Sequence, residues 1–316
     1  MSKLIIPAGL ALAPKVAFAN ENAFADTFLS QPLTEYSVGW RQEHAELEQL
    51  LEFLAPKVRA ARRFEFRVAN SKAAFAAAEN GQDIRALGAE FNVYRETGDI
   101  VQGKTLSKGL TKVLDKDEIH DNPMAEEEAV AEIMSILYRS EIIRAFGVLN
   151  AAATNAAKTW SAGTDADSDL IAAISAGGDD AGLNPNRVLF GQTAWQKRVL
   201  ALRGSEKAGG FASAGLDEAG LAGLLGIDEV MVCKQRYQGG SGKTALVTNN
   251  LVLAYNAQAG AGRNDPSNVK RFVTPTAGGD FAVFREEKPA TVAVTVAHYS
   301  NVVLTSSAGV RKLTIS

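Results

Sequence analysis

One cysteine, Cys233, and three histidines, at positions 44, 120 and 298, are all that the sequence offers of two residue types central to catalytic and metal chemistry. A single cysteine excludes an intramolecular disulfide, and with such scattered histidines a Cys-based zinc site cannot be written. No run approaches the roughly 20 consecutive apolar residues of a membrane-spanning helix. Neither charge sign is in excess: 33 Lys and Arg face 36 Asp and Glu, for a formal net charge of -3. Gripping nucleic acid is therefore not the expected main task, although a local basic patch is compatible with that balance. A Gly-x-Ser-x-Gly elbow is missing, and no histidine stands beside a Ser or Cys in a recognisable nucleophile arrangement. Nothing positive points to an enzyme, and no cofactor or metal is expected.

What is present is ample apolar material: 46% of 316 residues are hydrophobic, enough for a large core and about two domains. The first residues imitate an export signal, with Lys3 before the apolar run 4–13 and Ala17-Phe18-Ala19 behind it. Pro7, Gly9 and Pro14 break that run, so residues 1–28 read as an arm ordered by a partner. Leu47, Leu50, Leu51 and Leu54 fall at helical spacing within 40–54, stopped by Pro56. Between 64 and 114 the pattern changes. Phe64, Phe66 and Val68 alternate with charge, Phe91 and Val93 mark a second extended segment, and Gly98-Asp99 offers a turn. Frequent glycines and few apolar residues suggest a thin excursion that lies on a neighbouring molecule.

Asn122 reads as an N-cap with Pro123 in the first turn and Glu126, Glu127 and Glu128 at the positive helix end. An apolar stripe through Val130, Ile133, Leu137, Ile142, Phe146 and Leu149 then predicts a helix over 122–160, with a bend near Ser140 and Gly147. A compact α/β region follows over 168–275. Its expected helices are 170–176, 193–203 and 218–225, and its expected strands 187–190, 229–234 and 245–255. The alternation of Phe281, Val283, Val292, Val294, Val296, Val302 and Leu304 predicts long antiparallel strands ending in 310–315. No internal repeat is evident.

Two motifs imitate ligand sites. Gly239-Gly240-Ser241-Gly242-Lys243-Thr244 resembles a phosphate loop, but its first glycine position is Tyr237 and a strand, not a helix, is expected after Thr244. A glycine-rich hairpin accounts for it better. Asp165, Asp167 and Asp169 open like a calcium loop, yet Leu170 and Ala176 stand where Gly and Glu are required. A helix cap from Ser168 or Asp169 explains the cluster more simply. Two charge clusters remain. Lys57, Arg59, Arg62, Arg63 and Arg67 form a basic run; Asp115, Asp117, Glu118, Asp121, Glu126, Glu127 and Glu128 form an acidic one. Each could be a solvated face, the basic run could meet DNA, and pairing between neighbouring subunits is the preferred reading.

Taken in order, arm, extended loop, long helix, compact α/β domain and C-terminal strands resemble the major capsid protein of tailed bacteriophages, the Hong Kong 97 type fold. Phe64-Glu65-Phe66-Arg67 leading to Arg85-Ala86-Leu87-Gly88-Ala89-Glu90 is similar to the family's extended loop. Asn184-Pro185-Asn186-Arg187-Val188-Leu189-Phe190 with Trp195, and Leu224-Leu225-Gly226-Ile227 before Val230-Met231-Val232, resemble its axial domain. The resemblance implies an α+β fold divided into an N-terminal arm and amphipathic helix (1–63), an extended loop (64–121), a spine helix of a peripheral domain (122–167), an axial domain (168–275) and strands returning to the peripheral domain (276–316). It further implies a structural subunit that self-assembles, as hexamers and pentamers, into an icosahedral shell enclosing phage DNA. Assembly would occur in the host cytoplasm and the product would be the virion capsid. Implied partners are further copies of the chain, scaffold, portal and decoration proteins, and packaged DNA in weak non-specific contact, with no membrane. The alternatives are an encapsulin-like compartment shell, which shares the fold, and a nucleotide-binding enzyme, which the broken phosphate loop argues against.

Overall fold

The computed structural model describes residues 28–68, 83–85, 87, 89–91, 93, 100–205, 209–240, 242–260, 265–276 and 279–316. The arm, most of the Phe91 to Gly98-Asp99 segment and the export-like residues lie outside the described residues. Along the chain run α1 (Gln31–Glu43), α2 (Ala45–Leu54), β1 (Lys57–Arg59), β2 (Arg63–Arg67), β3 (Ile100–Lys104), β4 (Leu106–Asp115), α3 (Lys116–Asp121), α4 (Ala125–Ala152) and β5 (Thr154–Lys158). The second half holds α5 (Ala166–Ala181), β6 (Arg187–Gly191), α6 (Gln192–Arg203), α7 (Gly210–Ala214), α8 (Glu218–Leu225), β7 (Glu229–Cys233), β8 (Arg236–Gly239) and β9 (Gly242–Ala245). It closes with β10 (Leu251–Tyr255), β11 (Val269–Thr274), β12 (Phe281–Glu287), β13 (Thr291–Leu304) and β14 (Arg311–Ile315).

Two five-stranded sheets organise the molecule. In the first, the long strand β13 carries β4 along one side and β12 and β11 along the other, with β1 added to β11 in parallel. The second has the order β5-β14-β10-β6-β7. The apolar stripe of α4 packs with α1, α2 and the first sheet around Leu51, Leu54, Met134, Ile142, Leu149 and Val294. A second cluster forms where α5, α6 and α8 cover the second sheet around Leu170, Phe190, Leu221 and Val252. The middle of the second sheet is buried on both faces. Leu251, Leu253 and Tyr255 of β10 point into the first cluster, while Val252 and Ala254 point into the second. A strand buried on both faces reads as an unbroken apolar run, as 251–255 does.

Several elements depart from the sequence pattern, each for a physical reason. The helix expected over 40–54 begins at Gln31 and breaks at His44, whose ring stacks on Trp40 at 4.5 Å. The long helix spans 28 residues, not 122–160. Asn122 accepts from the Met124 amide at 3.0 Å and closes a turn, so the helix starts only at Ala125. At the other end Thr154–Lys158 pairs in parallel with the C-terminal strand, and that pairing overrides a locally helical composition. The chain over 106–115 is no excursion. It joins β13 over ten residue pairs, from Leu106↔Ser300 to Asp115↔Thr291. Gly109, which reads as a helix breaker, lies so close to β13 that a Cβ would sit 2.7 Å from the Val296 carbonyl oxygen. The expected strand over 245–255 divides at a turn between β9 and β10, and of the C-terminal strands Arg311–Ile315 belongs to the second sheet.

Candidate assembly surface

The basic run lies where β1 and β2 meet the end of the first sheet. Lys57 is committed within the chain, its ammonium donating to Asp280 at 2.9 Å. Burial pushes the Asp280 carboxyl up, but Lys57 and Arg41 beside it outweigh this and hold it below the usual carboxylate range. Arg62 covers the Tyr299 ring at 5.1 Å. Arg59, Arg62 and Arg63 are exposed and form no ion pair among the described residues, whereas Arg67 is half-buried and bonded. Under this corner Phe64 stacks on Phe272 at 4.0 Å and Phe66 on Phe272 at 5.7 Å. These three rings line an open cavity of about 360 Å³ whose wall also includes Arg59, Ala60 and Arg67.

The acidic cluster occupies the far end of β4, on α3 and the first turn of α4. Asp115 caps α3 by accepting from the Asp117 amide at 3.0 Å. Glu126 takes Arg285 at 2.9 Å and Glu128 accepts from the Asn122 amide group at 3.1 Å. Asp117, Glu118 and Asp121 are exposed and Glu127 partly so, and none of them forms an ion pair among the described residues. At the corner between the two helices Met124 leaves 57% of its surface in solvent. Arg63 pairs in register with Lys104 at the near end of β4, and α3 begins directly after Asp115 at the far end. Ten strand residues separate the two clusters by about 30 Å. The structure therefore does not bring the basic and acidic residues together within one chain.

The other sequence motifs are resolved into ordinary structure. The glycine-rich segment is the β8–β9 hairpin, with Gly239 opposite Gly242, and a turn follows it instead of a helix. The three aspartates are used separately. Asp165 caps α5 by accepting from the Ser168 amide, a role that sequence assigned to its neighbours. Asp167 holds the fully buried Arg198 guanidinium at 2.7 and 3.0 Å, and Asp169 accepts from Lys158 and Trp160. Among the described residues no group of three or more His, Cys, Asp and Glu could hold a metal ion, and no helix is long and apolar enough to cross a membrane. Burial raises the Cys233 thiol above its ordinary range, the opposite of what an activated nucleophile needs.

Sequence reasoning missed two features. One is a buried polar cluster between β4, β13 and α4, in which Glu141 accepts from Lys108 at 2.7 Å and Ser300 at 2.9 Å beside His298. Its one sequence signal was a lone acid inside an apolar helical stripe. The other is the outer edge of β4, which pairs on one side only among the described residues and exposes Leu106, Leu110 and Val113. A long, partly apolar edge invites pairing with another chain.

No protein-family model matches the sequence, and no curated protein is significantly similar to it. Solved structures share its fold. A phage-related protein from Bordetella bronchiseptica RB50 is 13% identical with a TM-score of 0.63, covering 91% of this chain and 97% of its own. A virus-like particle from Pyrococcus furiosus is 11% identical with a TM-score of 0.53, covering 92% and 100%. The mature capsid of bacteriophage PhiM1 is 10% identical with a TM-score of 0.50, covering 84% and 86%. The chain has the α+β phage capsid fold.

Proposed function

We propose that this chain is a structural subunit that assembles with copies of itself into an icosahedral phage capsid enclosing DNA. The observation that carries the reading is the fold, shared over nearly the full length of both chains with a phage-related protein, a virus-like particle and a phage capsid. The surface supports it: an edge strand with exposed apolar side chains invites pairing with another chain, and Arg59, Arg62, Arg63, Asp117, Glu118 and Asp121 are exposed with no ion pair among the described residues. Many modest interfaces let misplaced subunits leave while their sum holds a closed particle. Scaffold, portal and decoration proteins, packaged DNA and the virion as destination belong to the same proposal. Electron microscopy and sedimentation of the expressed protein, alone and with scaffold and portal supplied, test it. Closed polyhedral shells or rings of five and six subunits are expected. A protein that stays monomeric under both conditions would remove the reading. The nucleic acid inside particles made during phage growth separates a genome shell from a compartment shell.

A further inference from the structure

The exposed members of the two charge clusters sit at opposite ends of the same strand, and their separation is what makes them informative. At one end Arg59, Arg62 and Arg63 are exposed beside a cavity floored by Phe64, Phe66 and Phe272. At the other, Asp117, Glu118 and Asp121 of α3 are exposed, and Met124, three residues after Asp121, is exposed as well. With about 30 Å of strand between them, neither end can neutralise the other inside one molecule. Exposed charges alone contribute little affinity, but they set register and exclude wrong partners. An apolar contact at the centre of such a rim supplies what the charges do not. A methionine is suited to it, because its unbranched, flexible side chain adapts to an irregular pocket.

The geometry points to a head-to-tail contact between two copies of this chain, in which Met124 of one copy enters the phenylalanine cavity of the next and its flanking acids face Arg59, Arg62 and Arg63. This rests on the capsid reading and names a contact within it. Made in this way the contact is heterologous: each copy keeps one free donor end and one free acceptor end, and copies related by a rotation close into a ring. A twofold pair with its β4 edges antiparallel would match the same patches reciprocally, so parent protein that sediments only as a dimer would overturn the head-to-tail arrangement. The other acids near the arginines do not satisfy them. Asp265 is engaged by Lys270 at 2.6 Å, and Glu65 accepts from Gln102 at 2.8 Å.

Charge exchange in the full-length chain tests the contact. One variant carries Arg59→Glu, Arg62→Glu and Arg63→Glu; a second carries Asp117→Lys, Glu118→Lys and Asp121→Lys; a third carries all six. Each is exposed at the altered positions, so circular dichroism and thermal unfolding should match the parent. The first two are expected to sediment as unassembled subunits and the third to recover rings or shells. Met124→Ala should raise the concentration needed for assembly about tenfold. Parent protein that assembles beside first and second variants that assemble equally well would overturn this contact and leave the capsid reading standing. Normal particles that lose only their bound nucleic acid would also overturn it and assign the arginines to that ligand. Failure of the parent to assemble would instead strike the capsid reading itself.

Discussion

The buried histidine is the residue whose chemistry is most constrained by its surroundings. His298 lies on β13 with its ring stacked on Phe281 at 4.8 Å, and its Nε2 has no hydrogen-bond partner among the described residues. Burial lowers its pKa to about 4. Glu141 on α4 pulls the other way, while Lys108 on β4, Arg271 on β11 and Arg144 on α4 reinforce the lowering. Glu141 itself is pushed up by burial but held below the usual carboxylate range by Lys108 and Ser300. Both groups therefore favour the deprotonated state in the fold. An unfolded chain takes up the histidine proton near pH 6.5, whereas the folded chain resists until about pH 4. The corresponding stability is complete above about pH 6.5 and disappears as pH falls toward 4, a loss on the order of 3 kcal/mol. Denaturant unfolding of the isolated subunit across that window should show the decline, and His298→Gln should flatten most of it. An unchanged slope in the variant would mean that other groups carry the acid sensitivity.

At the scale of elements, apolar spacing and glycine caps located several helices and strands, whereas element ends and two strands made by distant pairing were misread. The helix over Glu218–Leu225 ends at Gly226 with a φ of 67°, a left-handed cap that glycine accepts without penalty. Strand β6 and helix α6 likewise follow from apolar clustering and spacing. The strands β4 and β5 were illegible, because each exists through its partner: β13 fixes one and β14 the other. Glycines show the same division. Gly191, at the junction of β6 and α6, has an ordinary φ of -74°, and its role is space: a Cβ would lie 2.3 Å from the Thr248 carbonyl oxygen and 2.4 Å from that of Asn249. Gly147, in the exposed face of α4, would meet nothing. Gly191→Ala is expected to destabilise the subunit by about 2 kcal/mol. Gly147→Ala should stabilise it by about 0.5–1 kcal/mol through better helix propensity. Equal melting shifts from the two substitutions would contradict this assignment.

For the whole molecule, the order of segments carried the fold, while the charge clusters were legible only as composition. Their lengthwise separation, and the removal of Lys57 and Glu126 into intrachain pairs, required the three-dimensional arrangement. The same holds for the division into domains, because the second sheet serves both apolar clusters. Its strands turn Leu189, Leu253 and Tyr255 toward α2 and α4, and Val188, Phe190 and Val252 toward α5 and α6. Polar bonds reinforce the junction. Arg187 donates to the carbonyl oxygens of Glu52 at 3.1 Å and Phe53 at 2.8 Å, and the Tyr255 hydroxyl donates to the latter at 2.8 Å. They satisfy the otherwise open C-terminal end of α2, where a cation is also favoured by the helix dipole. Chains of this size often unfold in stages. Here neither cluster can open without exposing one face of a sheet that the other needs, so a single cooperative transition is expected. The tryptophans report on each side: Trp40 lies in the first cluster, and Trp160 is buried in the second with Trp195 packed against it. Replacing either set with phenylalanine gives two proteins whose fluorescence follows one cluster at a time. Their urea midpoints should coincide, and Arg187→Met should lower both together by removing the cap. Separate midpoints, or a shift confined to Trp40, would show two independently folding units joined by the chain.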